Sequence, residues 1–150
     1  MIIARRALLP LPLLLGGCGS SSLFARSVAV RRIAIAVAPG ANDNTPIALD
    51  LVHVSDRPPL ATALAGLTAA EWFERRGQFQ RDWPRDLDVR SWEVVPGQIL
   101  PEERLPSPAV SSEALLFALY AAPGVHRARV AEGGRLTVRL LAEEMQVVER

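Results

Sequence analysis

The sequence predicts a mainly β chain folded as a two-layer antiparallel β-sandwich with one inserted α-helix. Three observations carry this. Short runs that alternate apolar and polar residues recur along most of the chain, which is the period-two signature of half-buried strands. Twelve prolines and ten glycines punctuate those runs with turn chemistry. A single strong helix start, Thr68-Ala69-Ala70-Glu71, interrupts the strand pattern. About seven one-faced strands need a second layer to cover them, and a sandwich is the simplest architecture that provides it.

The first strand lies around Ile33, Ile35 and Val37, with Ala34 and Ala36 on the opposite face. Arg31 and Arg32 break the alternation just before it, which marks a bulge or a strand start. Pro39-Gly40-Ala41-Asn42-Asp43-Asn44-Thr45-Pro46 is a loop, because Asn and Asp tolerate left-handed backbone and proline fixes φ. Ile47 to Val54 alternates again, so the two runs are expected to pair as a hairpin across that loop.

Thr68 and Glu71 fit a capping box, with Leu67 and Trp72 at the staple positions, predicting a helix from Ala69 to Gln80. Trp72, Phe79 and Trp83 are expected to cover a sheet edge. Leu87 to Val95 reads as a strand closed by Pro96-Gly97, and Leu100 to Pro108 as an extended connection. Residues 114–122, ALLFALYAA, suit either a buried helix or a strand buried on both faces; the Pro123-Gly124 stop and strand-like neighbours favour the strand. Val125 to Ala131 and Arg135 to Leu141 flank Gly133-Gly134 like a hairpin, and Met145 to Val148 supplies a last strand.

The 150-residue length suits one domain. Every basic side chain other than histidine is arginine, and the net charge is +1, with acids interspersed; nucleic-acid binding is not expected without a basic stripe. The N-terminus reads as a targeting segment: Arg5 and Arg6, then an apolar run from Ala7 to Leu15 that is short for a bilayer span. Leu15-Gly16-Gly17-Cys18 resembles a bacterial lipobox, in which the cysteine carries diacylglycerol and an N-acyl chain. Two or more acyl chains anchor stably where one does not. The competing reading is an ordinary secretory peptide cut near Ser22. The plan is then a signal peptide over 1–17, a lipidated tether over 18–27 and a sandwich over 28–150. Gly19 lacks the aspartate that, by resemblance to lipoproteins generally, retains them in the inner membrane, so the outer membrane facing the periplasm is expected.

Catalytic constellations are missing from the pattern. His53 and His126 are isolated, a strand or surface role being the expectation for His53. No nucleophile elbow or phosphate-cradling glycine spacing occurs. Asn42, Asp43, Asn44 and Asp50 lack the glycine and glutamate of a calcium loop. Glu102-Glu103 and Glu143-Glu144 read as solvated turn pairs. The expectation is a non-enzymatic binding module, with no metal or cofactor beyond the lipid on Cys18, whose contact surfaces are the first loop and the helix.

In order, the chain runs from a lipobox and a strand to the Asn-rich turn ending at Thr45-Pro46. The strand Ile47 to Val54, a helix with Glu71-Trp72-Phe73, the stretch Val94-Val95-Pro96-Gly97-Gln98 and the run Leu116 to Tyr120 follow. This resembles TssJ, the outer-membrane lipoprotein family of bacterial type VI secretion. The resemblance implies a transthyretin-like sandwich without catalysis. It also implies a partner, the periplasmic domain of the inner-membrane protein TssM, docked on the loop that here holds Asn42, Asp43, Asn44 and Thr45. The connection from Asp56 to Leu67 is longer than the family pattern. The alternative is another periplasmic lipoprotein module, a pilotin or assembly chaperone, that captures a peptide by strand addition.

Overall fold

The computed structural model describes residues 27–106 and 111–150. The expected signal peptide, Cys18 and the expected tether up to residue 26 lie outside the described residues. The elements are β1 (Val30–Val37), a one-turn segment α1 (Ala41–Asn44), β2 (Ile47–Val54), α2 (Pro58–Ala65), α3 (Ala69–Asp82), β3 (Leu87–Val94), β4 (Ile99–Arg104), β5 (Glu113–Leu119), β6 (Arg127–Val130), β7 (Gly134–Leu140) and β8 (Met145–Glu149).

They form two four-stranded sheets, ordered β4-β1-β7-β8 and β3-β2-β5-β6. Pairing is antiparallel except between β1 and β7, which run parallel. The inner faces meet in one core built from residues such as Ile33, Ile35, Leu49, Leu51, Leu116 and Leu136. The mainly β two-layer sandwich expected from the sequence is therefore the observed architecture.

Two expected hairpins do not form. β1 and β2 lie in opposite sheets, so Ile33, Ile35 and Val37 face Leu49 and Leu51 across the core instead of standing beside them. Face-to-face placement buries both apolar stripes at once, which a lone hairpin cannot do. Gly133-Gly134 likewise carries the chain from one sheet to the other, since β6 pairs with β5 and β7 with β1 and β8. Both glycines have positive φ, and a Cβ on Gly133 would sit 2.9 Å from the Ala29 carbonyl oxygen. Close backbone approach, rather than a hairpin turn, requires glycine there.

The insertion holds two helices, not one. α3 starts with the expected capping box: Glu71 N donates to Thr68 Oγ1 at 3.2 Å and Thr68 N to Glu71 Oε2 at 2.7 Å. It runs two residues beyond the expected Gln80. The unforeseen α2 occupies the long connection after β2, and its two prolines sit in the first turn, where a missing N–H costs nothing. Together these helices cover the outer face of the β2-β5 sheet in a second core containing Val52, Val54, Leu64, Trp72, Leu115 and Phe117.

That second layer explains why residues 114–119 read as continuously apolar: β5 is buried on both faces. Trp72 is fully buried, stacks on Phe117 at 5.2 Å and donates from Nε1 to Asp50 at 2.9 Å. The aromatic residues thus cover a sheet face rather than an edge, and Trp83 stays 37% exposed. His53, expected in a strand or at the surface, lies in β2 but is buried, and it accepts the Val30 N–H at Nε2 (3.0 Å), joining the two sheets. The proline-rich connection after Pro96-Gly97 contains the edge strand β4, with Pro101 inside it.

Candidate functional site

β1 defines two ends of the sandwich. At its start the chain arrives through Val28, whose N–H donates to the Ser111 carbonyl (2.8 Å), and Ala29, which accepts from Gly134 N (2.9 Å). At its finish lies the loop 38–46. An eight-residue strand separates these ends by about 26 Å.

The loop is a left-handed turn. Asn42, Asp43 and Asn44 have φ of 51°, 52° and 59°, following Gly40 at 77°. Left-handed backbone costs an L-residue roughly 1–2 kcal/mol, least for Asn and Asp. Three in succession persist only where surroundings over-determine them. Here Asn42 does so. Its Nδ2 donates to Thr45 Oγ1 (2.8 Å) and to the Pro46 carbonyl (3.0 Å), while its Oδ1 accepts the Ala121 N–H (2.6 Å). Its own N–H donates to the Ala142 carbonyl at 2.9 Å.

One buried asparagine thereby ties together three loops: 38–46, 120–126 and 141–144. Tyr120 reinforces them, stacking on His126 at 4.8 Å and donating to the Glu144 carbonyl at 2.7 Å. Burial pushes the Tyr120 phenol up to about 12, so it stays a donor at neutral pH.

The four residues expected to meet a partner therefore split. Asn42 is 6% exposed and turned inward, whereas Asp43, Asn44 and Thr45 are exposed on the crest. Exposed Glu143 and Glu144 flank them, joined to the loop through Ala142. On the other side Gly97 N donates to the Ala38 carbonyl (3.3 Å), bringing up Ile99, which is 75% exposed, and Val95. A shallow, mostly apolar cleft of about 290 Å³ between Ala36, Pro39, Ile99 and Leu141 continues this shoulder. The end is an acidic crest beside an apolar ledge on a stiff frame. Such an end can meet a complementary surface. Sequence reasoning found the crest but missed the ledge and the tie to residues 120–126 and 141–144; turn residues marked each loop, yet nothing local showed that they meet.

Among the described residues no three His, Cys, Asp or Glu side chains group as a metal site, and no described helix is long and apolar enough to cross a membrane.

A two-sheet sandwich with a helical insertion and a stiff loop end defines a class of fold. In solved structures that fold is found in type VI secretion. TssJ1 of Pseudomonas aeruginosa, a T6SS lipoprotein, matches with TM-score 0.61 over 83% of this chain and 97% of that one, at 20% identity. Lip of Serratia marcescens, a membrane-bound component of the type VI secretion system, matches at 0.59 over 83% and 98%, with 12% identity. A structure described as the T6SS protein TssM C-terminal domain from EAEC matches at 0.56 over 79% and 100%, with 8% identity. No family model matches the sequence, and no curated protein matches it. The chain has the TssJ-like sandwich fold expected of it.

Proposed function

We propose that this protein is an outer-membrane lipoprotein, acylated at Cys18, that holds the periplasmic domain of a TssM-like inner-membrane protein and so supports assembly of a trans-envelope secretion complex. It performs no catalysis. The observation that carries this reading is the loop end: a left-handed crest of Asp43, Asn44 and Thr45, over-determined by Asn42 and opposite to where the tether arrives. A mooring protein needs its lipid and its partner at different ends, and a contact surface held rigid loses little entropy on binding. The fold shared with membrane-bound secretion lipoproteins supports the same reading. Strand addition, as a pilotin would use, is hindered at two of the four sheet edges, since β4 carries Pro101 and a register break and β6 is only four residues long.

The test is fractionation of producing cells together with mass spectrometry. The wild-type chain is expected in the outer-membrane fraction with a triacylated Cys18 at its start, and Cys18→Ser in the soluble periplasm. A processed chain that begins downstream of Cys18 overturns the anchor.

A further inference from the structure

The outer face of the β4-β1-β7-β8 sheet carries a feature that tethering by lipid does not require. The register pairs Arg32 with Arg104 on β4 and with Arg135 on β7. Arg135 in turn exchanges both backbone hydrogen bonds with Arg150, just past β8, at 3.1 and 2.9 Å. Three strands and the residue that follows the fourth thus place an arginine in a single row. Neighbouring strands lie about 4.8 Å apart, so the row is roughly 14 Å long. A bulge between Val30 and Arg32 adds a fifth, since it leaves both Arg31 and Arg32 exposed where strict alternation would turn one inward. These side chains line one open cleft of about 420 Å³.

Like charges directly opposite one another destabilise a sheet. Only Glu102 answers the row among the described salt bridges, reaching Arg32 at 3.1 Å and Arg135 at 2.9 Å. Glu149, beside Arg150, is spent on the amides of Ala131 and Glu132. Neither residues 1–26 nor 107–110 contain an aspartate or glutamate, so the missing counter-charge is not supplied from there. An exposed guanidinium row of this kind matches phosphate oxygens, which arginine binds through paired N–H groups.

The row also sits at the start of β1, beside Ala29 and Gly134, where the chain from Cys18 arrives. We propose that this arginine row docks the tether end of the sandwich onto the phosphates of anionic phospholipid headgroups. The docking orients the domain with its loop end pointing away from the bilayer. The proposal rests on the lipoprotein reading for its geometry, but its chemistry is testable without the lipid.

The mature chain from residue 18, carrying Cys18→Ser, is sedimented with vesicles of phosphatidylcholine alone or with one third phosphatidylglycerol. Binding is expected only to the anionic vesicles, and raising the salt weakens it. Each arginine near an anionic surface contributes about fivefold, so Arg104→Gln with Arg135→Gln together should weaken binding roughly 25-fold. Arg104→Gln alone should leave the melting temperature unchanged or raise it by roughly 1–3 °C, because a like-charge neighbour is gone. Equal binding to both vesicle types overturns the proposal, as does unaltered binding by the double variant. Saturable binding of inorganic phosphate at the row, without vesicle binding, assigns it to a soluble phosphate instead and also overturns it. The protein used has no acyl chains, so failure here leaves acylation of Cys18 standing, and an unacylated Cys18 leaves this result standing.

Discussion

Asn42→Ala is the substitution whose consequences are most specific to the loop end. It removes the acceptor for the Ala121 N–H and the donor for the Pro46 carbonyl and Thr45 hydroxyl. Asn42 is 6% exposed, so water replaces these partners poorly. Leaving a buried backbone group unpaired costs about 1–3 kcal/mol. Alanine tolerates φ of 51° less well than asparagine, adding about 1 kcal/mol. A loss of about 3 kcal/mol lowers the melting temperature of a domain this size by roughly 9–15 °C. Asn42→Asp keeps the acceptor and loses the donor, and should fall between. Urea unfolding and thermal melts followed by circular dichroism read both. Wild-type stability, within about 0.5 kcal/mol, in Asn42→Ala would refute the claim that one asparagine holds three loops in register.

Trp72→Ala should cost about 3–5 kcal/mol, measured by urea unfolding, because it empties the second core and strips Asp50 of one of its partners. Gly133→Ala should destabilise by at least 1–2 kcal/mol in the same assay, its new Cβ meeting the Ala29 carbonyl at 2.9 Å. Burial holds the His53 imidazole below its ordinary 6.5, against the pull of Asp88. The unfolded chain therefore binds that proton first, and the His53 contribution to stability, full above about pH 6.5, is lost as pH falls toward the folded value. Unfolding free energies from pH 7.5 to 5 should decline in the wild type and decline less in His53→Gln; parallel slopes would remove His53 as the cause.

Much of the fold was legible because its signals are local. The capping box at Thr68 and Glu71 fixed the start of α3, and alternation around Ile35, Leu49 and Val138 located three core strands. Arg31-Arg32 even marked the bulge in β1. Sheet membership was not legible, since whether β1 lies beside β2 or across from it depends on which apolar faces need covering. α2 escaped because Pro58-Pro59 reads as a strand stop until its place at a helix N-terminus is seen. At the candidate site the crest residues were visible as turn formers. The inward role of Asn42 was not, because its partners Ala121 and Ala142 lie far along the chain. The arginine row is equally non-local, assembled from three strands and the residue just past a fourth, whose register no short motif records.

Calorimetric titration of the chain from residue 18, carrying Cys18→Ser, with the periplasmic domain of a TssM-like protein tests the central claim most directly. The account predicts saturable binding that weakens at least tenfold when Asp43 and Asn44 are both changed to arginine. That variant still unfolds cooperatively, with a melting temperature lowered by roughly 6–10 °C, because arginine tolerates φ of 52° and 59° less well. Absence of binding at micromolar concentrations, or affinity indifferent to that crest, would contradict it.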